Sequence, residues 1–400
     1  MRIALINSEY SSPDGNGGIA TYTCTMANAL CSLGHTVYVF HRNGLRPGGL
    51  DPAVQFETFG SCPPPFWERL YESIFESGPF RWEKGCGRAL KNAILALCEK
   101  QGLDIVEVPD YGGLARYLGK VTPCKTVINF HTPSEMVDSL NKTVITPQRR
   151  RWHRFEEASI KNGNGFRCPS NALKELMCKR YGIPSSDISM IRNPVSTLLL
   201  DKIRQQDAPA SGRIDLLFAG RLEYRKGIEI IARNIKAILE IDPGITMTFA
   251  GETELANAPN FRLQVEHSLS DIERGRVWFL GPVNRSQLAI LYCRSSMLLL
   301  PSLFENAPYV LLEAMAAKLP VIAAASGGIP EIIRHRENGL LFPAGDLEAL
   351  NTCIREWIDT PEKARTCADA AYREIATTCA PEKIAAEALA FYSSLLKSKG

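Results

Sequence analysis

The chain has 400 residues, of which 45% are hydrophobic and 22% are charged. These proportions are typical of a globular protein of two or three domains, and they exclude disordered, collagen-like and coiled-coil chains. The formal net charge of +3 is too small to indicate a nucleic-acid-binding protein. No apolar run reaches the roughly 18 residues that cross a bilayer, and Met1–Asn7 is too short for a signal peptide. We therefore expect a cytoplasmic location.

Twelve cysteines are scattered along the chain without a C-x-x-C pair or a histidine at metal-ligand spacing. In a small secreted protein, this number would suggest a disulfide framework. In a chain of this length, the spacing favours reduced and mostly buried thiols. We therefore predict neither a zinc site nor a redox site from them.

Short apolar runs alternate with longer segments of helical periodicity along the whole chain. The predicted strands are 2–7, 36–40, 104–108, 125–130, 215–220, 245–251, 277–281, 296–301 and 320–324. A helix over Ile19–Leu33 follows the first of them. Strands that alternate with helices are typical of parallel sheets with helices on both faces. The sequence therefore predicts an α/β protein with doubly wound sheets.

The alternation pauses once, at Asn193-Pro194-Val195, and restarts after the polar stretch 201–213. We therefore predict two doubly wound domains of similar size, over residues 1–198 and 199–380. Residues 381–400 have an amphipathic helical pattern that needs a surface to cover. Ligands of such sheets bind beyond the carboxyl ends of the strands, so the cleft between the domains is the expected site.

A glycine-rich stretch follows the first predicted strand and opens the next helix. Gly17 and Gly18 end this stretch. Their small size would allow backbone amides at a helix start to approach an anionic or polyhydroxyl group. A plain tight turn explains the same residues, and both interpretations stay open.

Two cations, Arg221 and Lys226, follow the predicted strand that opens the second domain. Arginine grips phosphate oxygens through a planar fork, whereas lysine acts as a point charge. Two such groups five residues apart favour binding of a diphosphate. In the alternative interpretation, Arg221 pairs with a neighbouring carboxylate and Lys226 lies in solvent.

The strongest local feature is the start of a helix within residues 301–316. Pro308 is predicted to be the first helical residue, because its missing N–H costs nothing there. The backbone amides of Ala307, Tyr309 and Val310 then point outward from the helix end, toward a phosphate or sugar oxygen.

Two glutamates accompany this helix start. Glu305 lies in the preceding loop and Glu313 lies more than one turn inside an otherwise apolar helix. A buried carboxylate needs polar partners, and the hydroxyl groups of a ligand could supply them. Alternatively, Glu305 is a surface acid favoured by the helix dipole and Glu313 is a hydrogen-bonded acid of the core.

In combination, these residues resemble the retaining GT-B glycosyltransferases of glycosyltransferase family 4, over nearly the whole chain. The residues that carry the resemblance are Gly17-Gly18, His131 within 130–133, Asn193-Pro194-Val195, Gly220-Arg221, Lys226-Gly227, the E-x7-E pair Glu305 and Glu313, and the segment 327–331. The resemblance implies two Rossmann-like domains facing a central cleft. The first would bind the acceptor, the second would bind the nucleotide sugar, and the terminal helix would cross back onto the first.

The resemblance also implies roles for single residues of the second domain. Arg221 and Lys226 would hold the donor diphosphate, and Glu305 would contact hydroxyls of the donor sugar. Glu313 would bind the ribose, and the backbone around Gly281 would meet the base.

The helix start would complete the donor-binding wall with Asn306, Ala307, Tyr309 and Val310. Residues 306–309 depart from the Gly-Phe-Gly or Pro-Phe-Gly pattern of many family members. This departure alters the wall near the sugar.

In the first domain, the resemblance implies that His131 hydrogen-bonds the transferred sugar. Gly17 and Gly18 would approach the acceptor or the phosphates. The residues treated as catalytic are therefore His131 and, from the second domain, Arg221, Lys226 and Glu305.

The resemblance implies a glycosyltransferase that moves a sugar, with retention, from a nucleotide-diphosphate sugar to a carbohydrate, lipid-linked or small-molecule acceptor. We expect a role in cell-surface polysaccharide or glycolipid assembly. No cofactor is expected, and no D-x-D-type metal motif is evident, so we predict no metal site. Two alternatives stay open: a sugar-nucleotide epimerase on the same fold, and a catalytically silent sugar-nucleotide sensor.

A cluster of arginines in the first domain suggests a further partner. Arg149, Arg150, Arg151 and Arg154 surround Trp152. Such a cluster could lie on the anionic headgroups of a membrane. A solvated helix start explains it equally well.

Overall fold

A computed structural model of the chain describes residues 1–7, 17–42, 44–63, 78–119, 122–197, 213–252 and 260–397, with the side chains of helix residues 78–82 left out. These residues divide into two units. The first contains the described parts of 1–136 and 144–194 together with the helix that begins at Pro381. The second contains the described parts of 195–380 and the short segment Val137–Thr143, which the sequence pattern had not separated from its surroundings.

The first unit is built on a parallel sheet. Within the described residues, its strands are β1 (Arg2–Asn7), β2 (Thr36–His41), β3 (Gln55–Thr58), β4 (Ile105–Pro109), β5 (Lys125–Asn129), β6 (Gly165–Cys168) and β7 (Ile188–Met190). They lie in the order β3-β2-β1-β4-β5-β6-β7. Every pairing is parallel, including Ile3 with both Val37 and Ile105. The carboxyl ends of β1, β4 and β5 are therefore neighbours at one edge of the sheet.

Helices connect these strands. They are α1 (Gly18–Ser32), α2 (Gly78–Gln101), α3 (Ser134–Leu140), α4 (Pro147–Ile160) and α5 (Asn171–Tyr181). Residues 137–140 of α3 belong to the second unit. Helix α5 shows why they begin where they do, because the Ser170 side chain accepts a hydrogen bond from the Leu173 amide. The helix ends at Gly182, which adopts a left-handed conformation.

The second unit repeats this plan. Its described strands are β8 (Ile214–Ala219), β9 (Ile245–Ala250), β10 (Val277–Gly281), β11 (Met297–Leu300), β12 (Val321–Ala324) and β13 (Leu340–Phe342). They form a parallel sheet in the order β10-β9-β8-β11-β12-β13. Strands β8 and β11 are thus adjacent, so the loops that follow them meet at one edge.

The helices of the second unit are α6 (Ile228–Ile241), α7 (Phe261–Ser268), α8 (Asp271–Arg274), α9 (Arg285–Arg294), α10 (Tyr309–Ala316), α11 (Leu347–Asp359) and α12 (Pro361–Thr378). Two clusters of buried apolar side chains, one on each face of the sheet, form the core. Helix α6 places Ile231, Ile235 and Ile238 in one of them at helical spacing.

Helix α13 (Pro381–Lys397) returns to the first unit. Its side chains Ile384, Ala388 and Tyr392 are fully buried, and the helix packs against α1. The amphipathic pattern of this segment therefore has its surface within the first unit. Among the described residues, no helix is both long enough and apolar enough to cross a membrane.

The first sheet contains three strands that the periodicity did not predict. These are β3, β6 and β7, which are three or four residues long and include polar or charged residues. Arg167 interrupts β6, yet its side chain is only 1% exposed. A strand of only three or four residues that includes polar or charged side chains lacks the longer apolar run that identified the others.

Candidate functional site

The loop after β8 is held against the end of β11 by a close backbone contact. Gly227 has a φ of +74°, and a Cβ atom there would lie 1.9 Å from the carbonyl oxygen of Pro301. Only glycine fits this position, because other residues would clash and would also be strained. The amide of Leu303 in turn donates to the carbonyl of Arg225 at 2.8 Å. The two loops therefore form one rigid edge.

Side-chain charges join the same two loops. The Lys226 ammonium binds the Glu305 carboxylate directly. Arg225, which the sequence pattern did not single out, lies 3.3 Å from the same carboxylate and donates to the carbonyl of Phe304 at 3.3 Å. Lys226 is only 13% exposed, so the alternative interpretation that placed it in solvent is wrong.

Glu223 organises the cationic side of this cluster. It is 3% exposed, and it accepts a hydrogen bond from Arg225 at 2.7 Å. Arg221 lies 3.4 Å from Glu223, but its side chain stays 51% exposed. The alternative pairing of Arg221 with a carboxylate is thus present, while much of its guanidinium surface faces solvent.

A second close glycine contact, at Gly327, involves the backbone of Glu305. Gly327 has a φ of +55°, and a Cβ there would lie 2.0 Å from the carbonyl oxygen of Glu305. The amide of Gly328 donates to that carbonyl at 2.8 Å, and the Ser302 hydroxyl lies 3.4 Å from the carboxylate. The Gly327-Gly328 turn therefore supports the backbone of Glu305.

The protonation states follow from burial and charge. Burial acts to raise the pKa of Glu305, but attraction to Lys226 and Arg225 outweighs burial and lowers it. Burial lowers the pKa of Lys226, partly offset by Glu305. The three cations Arg221, Arg225 and Lys226 face the two carboxylates of Glu223 and Glu305, which leaves 3 − 2 = +1. The cluster therefore carries a net positive charge beside the strand ends.

Helix α10 begins one residue later than the sequence predicted. Pro308 is the N-cap, with φ −70° and ψ 133°, rather than the first helical residue. Helix boundaries commonly shift by a residue, and the missing N–H of proline is harmless at either position. Asn306 and Ala307 are buried just before this helix, and Tyr309 and Val310 are half-buried in its first turn. All four lie within five residues of Glu305 in the chain.

Glu313 lies further along α10 and has its own partners. Its carboxylate accepts a hydrogen bond from the Tyr292 hydroxyl at 3.2 Å, and Arg285 lies 3.9 Å away. Burial raises the pKa of Glu313 despite the attraction of Arg285. Its contacts match the interpretation of a hydrogen-bonded core acid.

Gly281 ends the edge strand β10 with a φ of +69° and open space beside it.

The first unit brings the other predicted residues to one sheet edge. Gly17 is the N-cap of α1 and Gly18 is its first residue, after β1; the glycine-rich residues before them lie outside the described residues. His131 follows β5, and its backbone N–H donates to Asp110 at 3.1 Å, just after β4. Burial, and to a smaller extent repulsion by Arg167, lower the pKa of His131 to about 3. The imidazole is therefore neutral at physiological pH.

A buried polar network lies behind His131, and the sequence pattern did not reveal it. Glu107, in the middle of β4, accepts hydrogen bonds from the hydroxyls of Tyr22 and Tyr392, and Arg167 lies 3.5 Å from it. The Tyr22 ring meets the His131 ring edge-on at 6.0 Å. A glutamate inside an otherwise apolar strand was the one available signal, since such a group must find partners.

Two family models match the chain. The model described as Glycosyltransferase Family 4 matches residues 16–197. The model described as Glycosyl transferases group 1 matches residues 201–374. The chain belongs to glycosyltransferase family 4. It is therefore a glycosyltransferase, and the two matches fall on either side of the predicted boundary near residue 200.

Full-length relatives agree with this family. A glycogen synthase of Mycobacterium tuberculosis is 26% identical over 391 residues, which cover 94% of this chain and 90% of the relative. An MMP alpha-(1->4)-mannosyltransferase of Mycolicibacterium hassiacum is 23% identical, over 99% of this chain and 98% of the relative. The relatives thus span both units.

Solved structures show that the glycosyltransferase has the GT-B fold. Sucrose-phosphate synthase of Thermosynechococcus elongatus superimposes with a TM-score of 0.76 at 22% identity and covers 100% of both chains. HepE of Anabaena, in complex with UDP-glucose, gives a TM-score of 0.71 at 17% identity, over 98% of this chain and 100% of the other. The prediction of two Rossmann-like parallel-sheet domains is confirmed.

Proposed function

We propose that this glycosyltransferase moves a sugar, with retention of anomeric configuration, from a nucleotide-diphosphate sugar to a hydroxyl of a carbohydrate, lipid-linked or small-molecule acceptor. The observation that carries the proposal is the net positive cluster at the strand ends of the second unit. There, Lys226 is fixed by Glu305 while Arg221 stays half-exposed. A cytoplasmic location and a role in cell-surface polysaccharide or glycolipid assembly belong to the same proposal.

The cluster is suited to stabilising a leaving group. When the bond between sugar and phosphate breaks, negative charge develops on the diphosphate. Arg221 offers a bidentate fork, and Lys226 offers a compact charge whose position is already fixed by Glu305. Because these side chains supply the positive charge, the proposal includes no metal ion. Turnover that persists in EDTA is the result expected for a metal-independent enzyme.

We also propose a role for the uncharged state of His131. The anomeric carbon becomes positive in the transition state. A protonated imidazole near that carbon would oppose the reaction, whereas the neutral form can hydrogen-bond a sugar hydroxyl without repulsion. The pKa of about 3 keeps His131 in the neutral form. We assign His131 to the transferred sugar on this basis.

The proposed step is a front-face substitution. The acceptor oxygen forms a bond to the anomeric carbon on the side from which the diphosphate departs. The bond between that carbon and the phosphate oxygen breaks, and the leaving phosphate takes the proton of the acceptor hydroxyl. The products are a glycoside of unchanged configuration and a nucleoside diphosphate.

Glu313 and the helix start complete the proposed donor site. We propose that Glu313 contacts the ribose through the oxygen that lies 3.9 Å from Arg285, since the other oxygen already accepts from Tyr292. The backbone at Gly281 has open space beside it, which leaves room for a base. The relatives named for glycogen and mannosyl transfer make polymer-linked acceptors the first to test.

A product assay tests the proposal. The full chain is incubated with UDP-glucose, ADP-glucose or a mannose donor, with and without acceptors, and proton NMR of the product reports the anomeric configuration. Arg221→Ala is expected to lower turnover by about 10²–10³. Arg233→Ala is the matched control, since that arginine is 69% exposed and lies on the surface of α6.

Three outcomes would contradict the proposal. An inverted product would exclude the front-face step. An epimerised sugar nucleotide formed without acceptor would indicate an epimerase instead. Calorimetric binding of a donor without release of nucleoside diphosphate would indicate a sensor.

A further inference from the structure

The start of α4 and the loop before it present exposed apolar and cationic side chains together. Val144 is 81% exposed and Ile145 is 36% exposed. Arg150, Arg151 and Arg154 are exposed in the first two turns of the helix. We call these five residues the basic apolar face. All of them belong to the first unit.

Helical geometry places the three arginines on one side of α4. Residues 150, 151 and 154 are separated by one, three and four positions, so they share one face of the helix. Glu156, Ser159 and Ile160 lie on the opposite, buried face. The arginines therefore point away from the core.

The loop with the two apolar residues is fixed to this helix. The Thr146 side chain accepts a hydrogen bond from the Arg149 amide at 3.1 Å, and Pro147 occupies the first helical position. Val144 and Ile145 thus precede a capped helix start, at the same end as Arg150. Apolar and cationic side chains are held side by side.

The exposed side chains of Arg150 and Arg154 make no hydrogen bond or ion pair with any residue that the structure describes. Lys161 continues their side of the helix, and Glu157 offsets one of these charges. A surface of this composition calls for a partner with both anionic and apolar groups. The interface of an anionic bilayer offers phosphates at the same depth as the upper acyl chains. Nucleic acid would match the arginines but would leave Val144 in water.

We propose that the basic apolar face docks this protein peripherally on anionic lipid bilayers. The arginines would contact headgroup phosphates, while Val144 and Ile145 insert at the boundary between headgroups and acyl chains. The proposal does not depend on the reaction catalysed. It requires no spanning segment.

Vesicle sedimentation of the full chain tests this docking. The vesicles contain phosphatidylcholine alone or with about 30% phosphatidylglycerol, and the salt is varied between about 0.1 and 0.5 M to change the screening. Arg150→Gln combined with Arg154→Gln is expected to weaken binding to anionic vesicles about 25-fold, since each basic residue near such a surface contributes about fivefold. Val144→Ser is expected to weaken it about three- to tenfold.

The matched control carries Lys100→Gln and Lys179→Gln, which remove the same charge. Both lysines are exposed and lie in the last turns of α2 and α5. Because helices run antiparallel to the strands they connect, these ends lie at the sheet edge opposite the start of α4. The control is expected to bind within about twofold of wild type, since the Debye length is about 10 Å at 0.1 M salt. Thermal melting confirms that each variant is folded.

Binding that needs phosphatidylglycerol, falls with salt, and is lost in the arginine and Val144 variants alone supports the proposal. Four results would overturn it. The wild type could fail to bind, or it could bind neutral vesicles equally well. The control could lose as much as the arginine pair. Unchanged binding of Val144→Ser, together with competition by duplex DNA or polyglutamate, would assign the arginines to a soluble polyanion.

Discussion

The side-chain amide of Asn141 donates to the buried carboxylate of Glu223 at 2.9 Å. Its oxygen accepts from the backbone N–H of Arg225 at 2.9 Å. One residue of the segment Val137–Thr143, which belongs to the second unit, therefore holds both the carboxylate and the backbone of the cationic loop. Since Glu223 also binds the Arg225 guanidinium, the geometry of the candidate donor site depends on this amide.

Replacing Asn141 tests this dependence. Asn141→Ala leaves a buried carboxylate oxygen and a backbone N–H without their partner, which costs about 1–3 kcal/mol. We expect the donor KM to rise about tenfold with a smaller change in kcat, as measured by steady-state kinetics. Lys142→Ala is the control, because Lys142 is 61% exposed and its pair with Glu229 contributes little. Equal effects of the two substitutions would refute the assignment.

The pair of Lys226 and Glu305 is expected to show strong coupling. Lys226→Gln or Glu305→Gln alone leaves a buried charge without its main partner, so each should destabilise the fold and lower kcat/KM by about 10²–10³. The free energy of unfolding of the double variant, measured in urea, should exceed by about 1–3 kcal/mol the value expected from adding the losses of the two single variants. The exposed pair of Lys318 and Asp369, 2.7 Å apart, is the control cycle, with coupling below about 1 kcal/mol. Additive losses at Lys226 and Glu305 would show that they do not act as a pair.

His131 gives stability a defined dependence on acid. Its folded pKa of about 3 lies below the ordinary 6.5, so between these values the unfolded chain binds the proton first. Stability from this group is complete above pH 6.5 and is lost as the pH falls toward 3. His131→Asn, which cannot be protonated, should therefore lose less stability than wild type between pH 7 and pH 5 in thermal melts. Parallel losses would mean that His131 is not held neutral.

Asp110 has the opposite dependence. Burial raises its pKa from 3.8 to about 7, so in this range the folded chain binds the proton more tightly. Its contribution is complete below pH 3.8 and is lost as the pH rises through 7. Asp110→Asn should be more stable than wild type by up to about 4 kcal/mol above pH 7, and by progressively less toward pH 4. Asp187→Asn, at an exposed position of the same unit, should show no such trend, and a trend there would contradict the assignment.

The hydroxyl of Tyr392 is expected to hold α13 in place. Tyr392→Phe removes a donor to buried Glu107, at a cost of about 1–3 kcal/mol because the carboxylate stays behind. The backbone amides of α13 should exchange their hydrogens faster, and the midpoint of urea unfolding should move to a lower urea concentration. Ser394→Ala is the control on the same helix, since its exposed hydroxyl bonds only to the Phe391 carbonyl. A silent Tyr392→Phe would mean that apolar packing alone holds the helix.

Much of the fold could be predicted because parallel strands covered on both faces are largely apolar. Strands such as β1, β4 and β8 therefore stand out in the sequence. Strand β6 did not, because Arg167 finds its partners in Tyr22 and Glu107, which lie 145 and 60 residues away in the chain. A pairing between residues so far apart in the chain cannot be predicted from the residues around either one.

The candidate site could also be predicted only in part, because some of its residues are held by partners that are distant in sequence. Arg221, Lys226 and Glu305 could be identified because strand ends of a doubly wound sheet are the expected ligand sites. Glu223 and Asn141 could not, because they act through each other across 82 positions of sequence. A single chain shows which residues follow a strand, but it does not show which distant side chain holds them.

The return of α13 to the first unit has a consequence for synthesis on the ribosome. Residues 195–380 emerge before α13 does, and they contain nearly everything that the second unit needs. The first unit must wait for Tyr392 before Glu107 acquires all its partners. At about 5–20 residues per second, translation of the intervening stretch takes on the order of ten seconds or more. During that time the nascent first unit lacks the helix that packs against α1, so the unit that is made first is completed last.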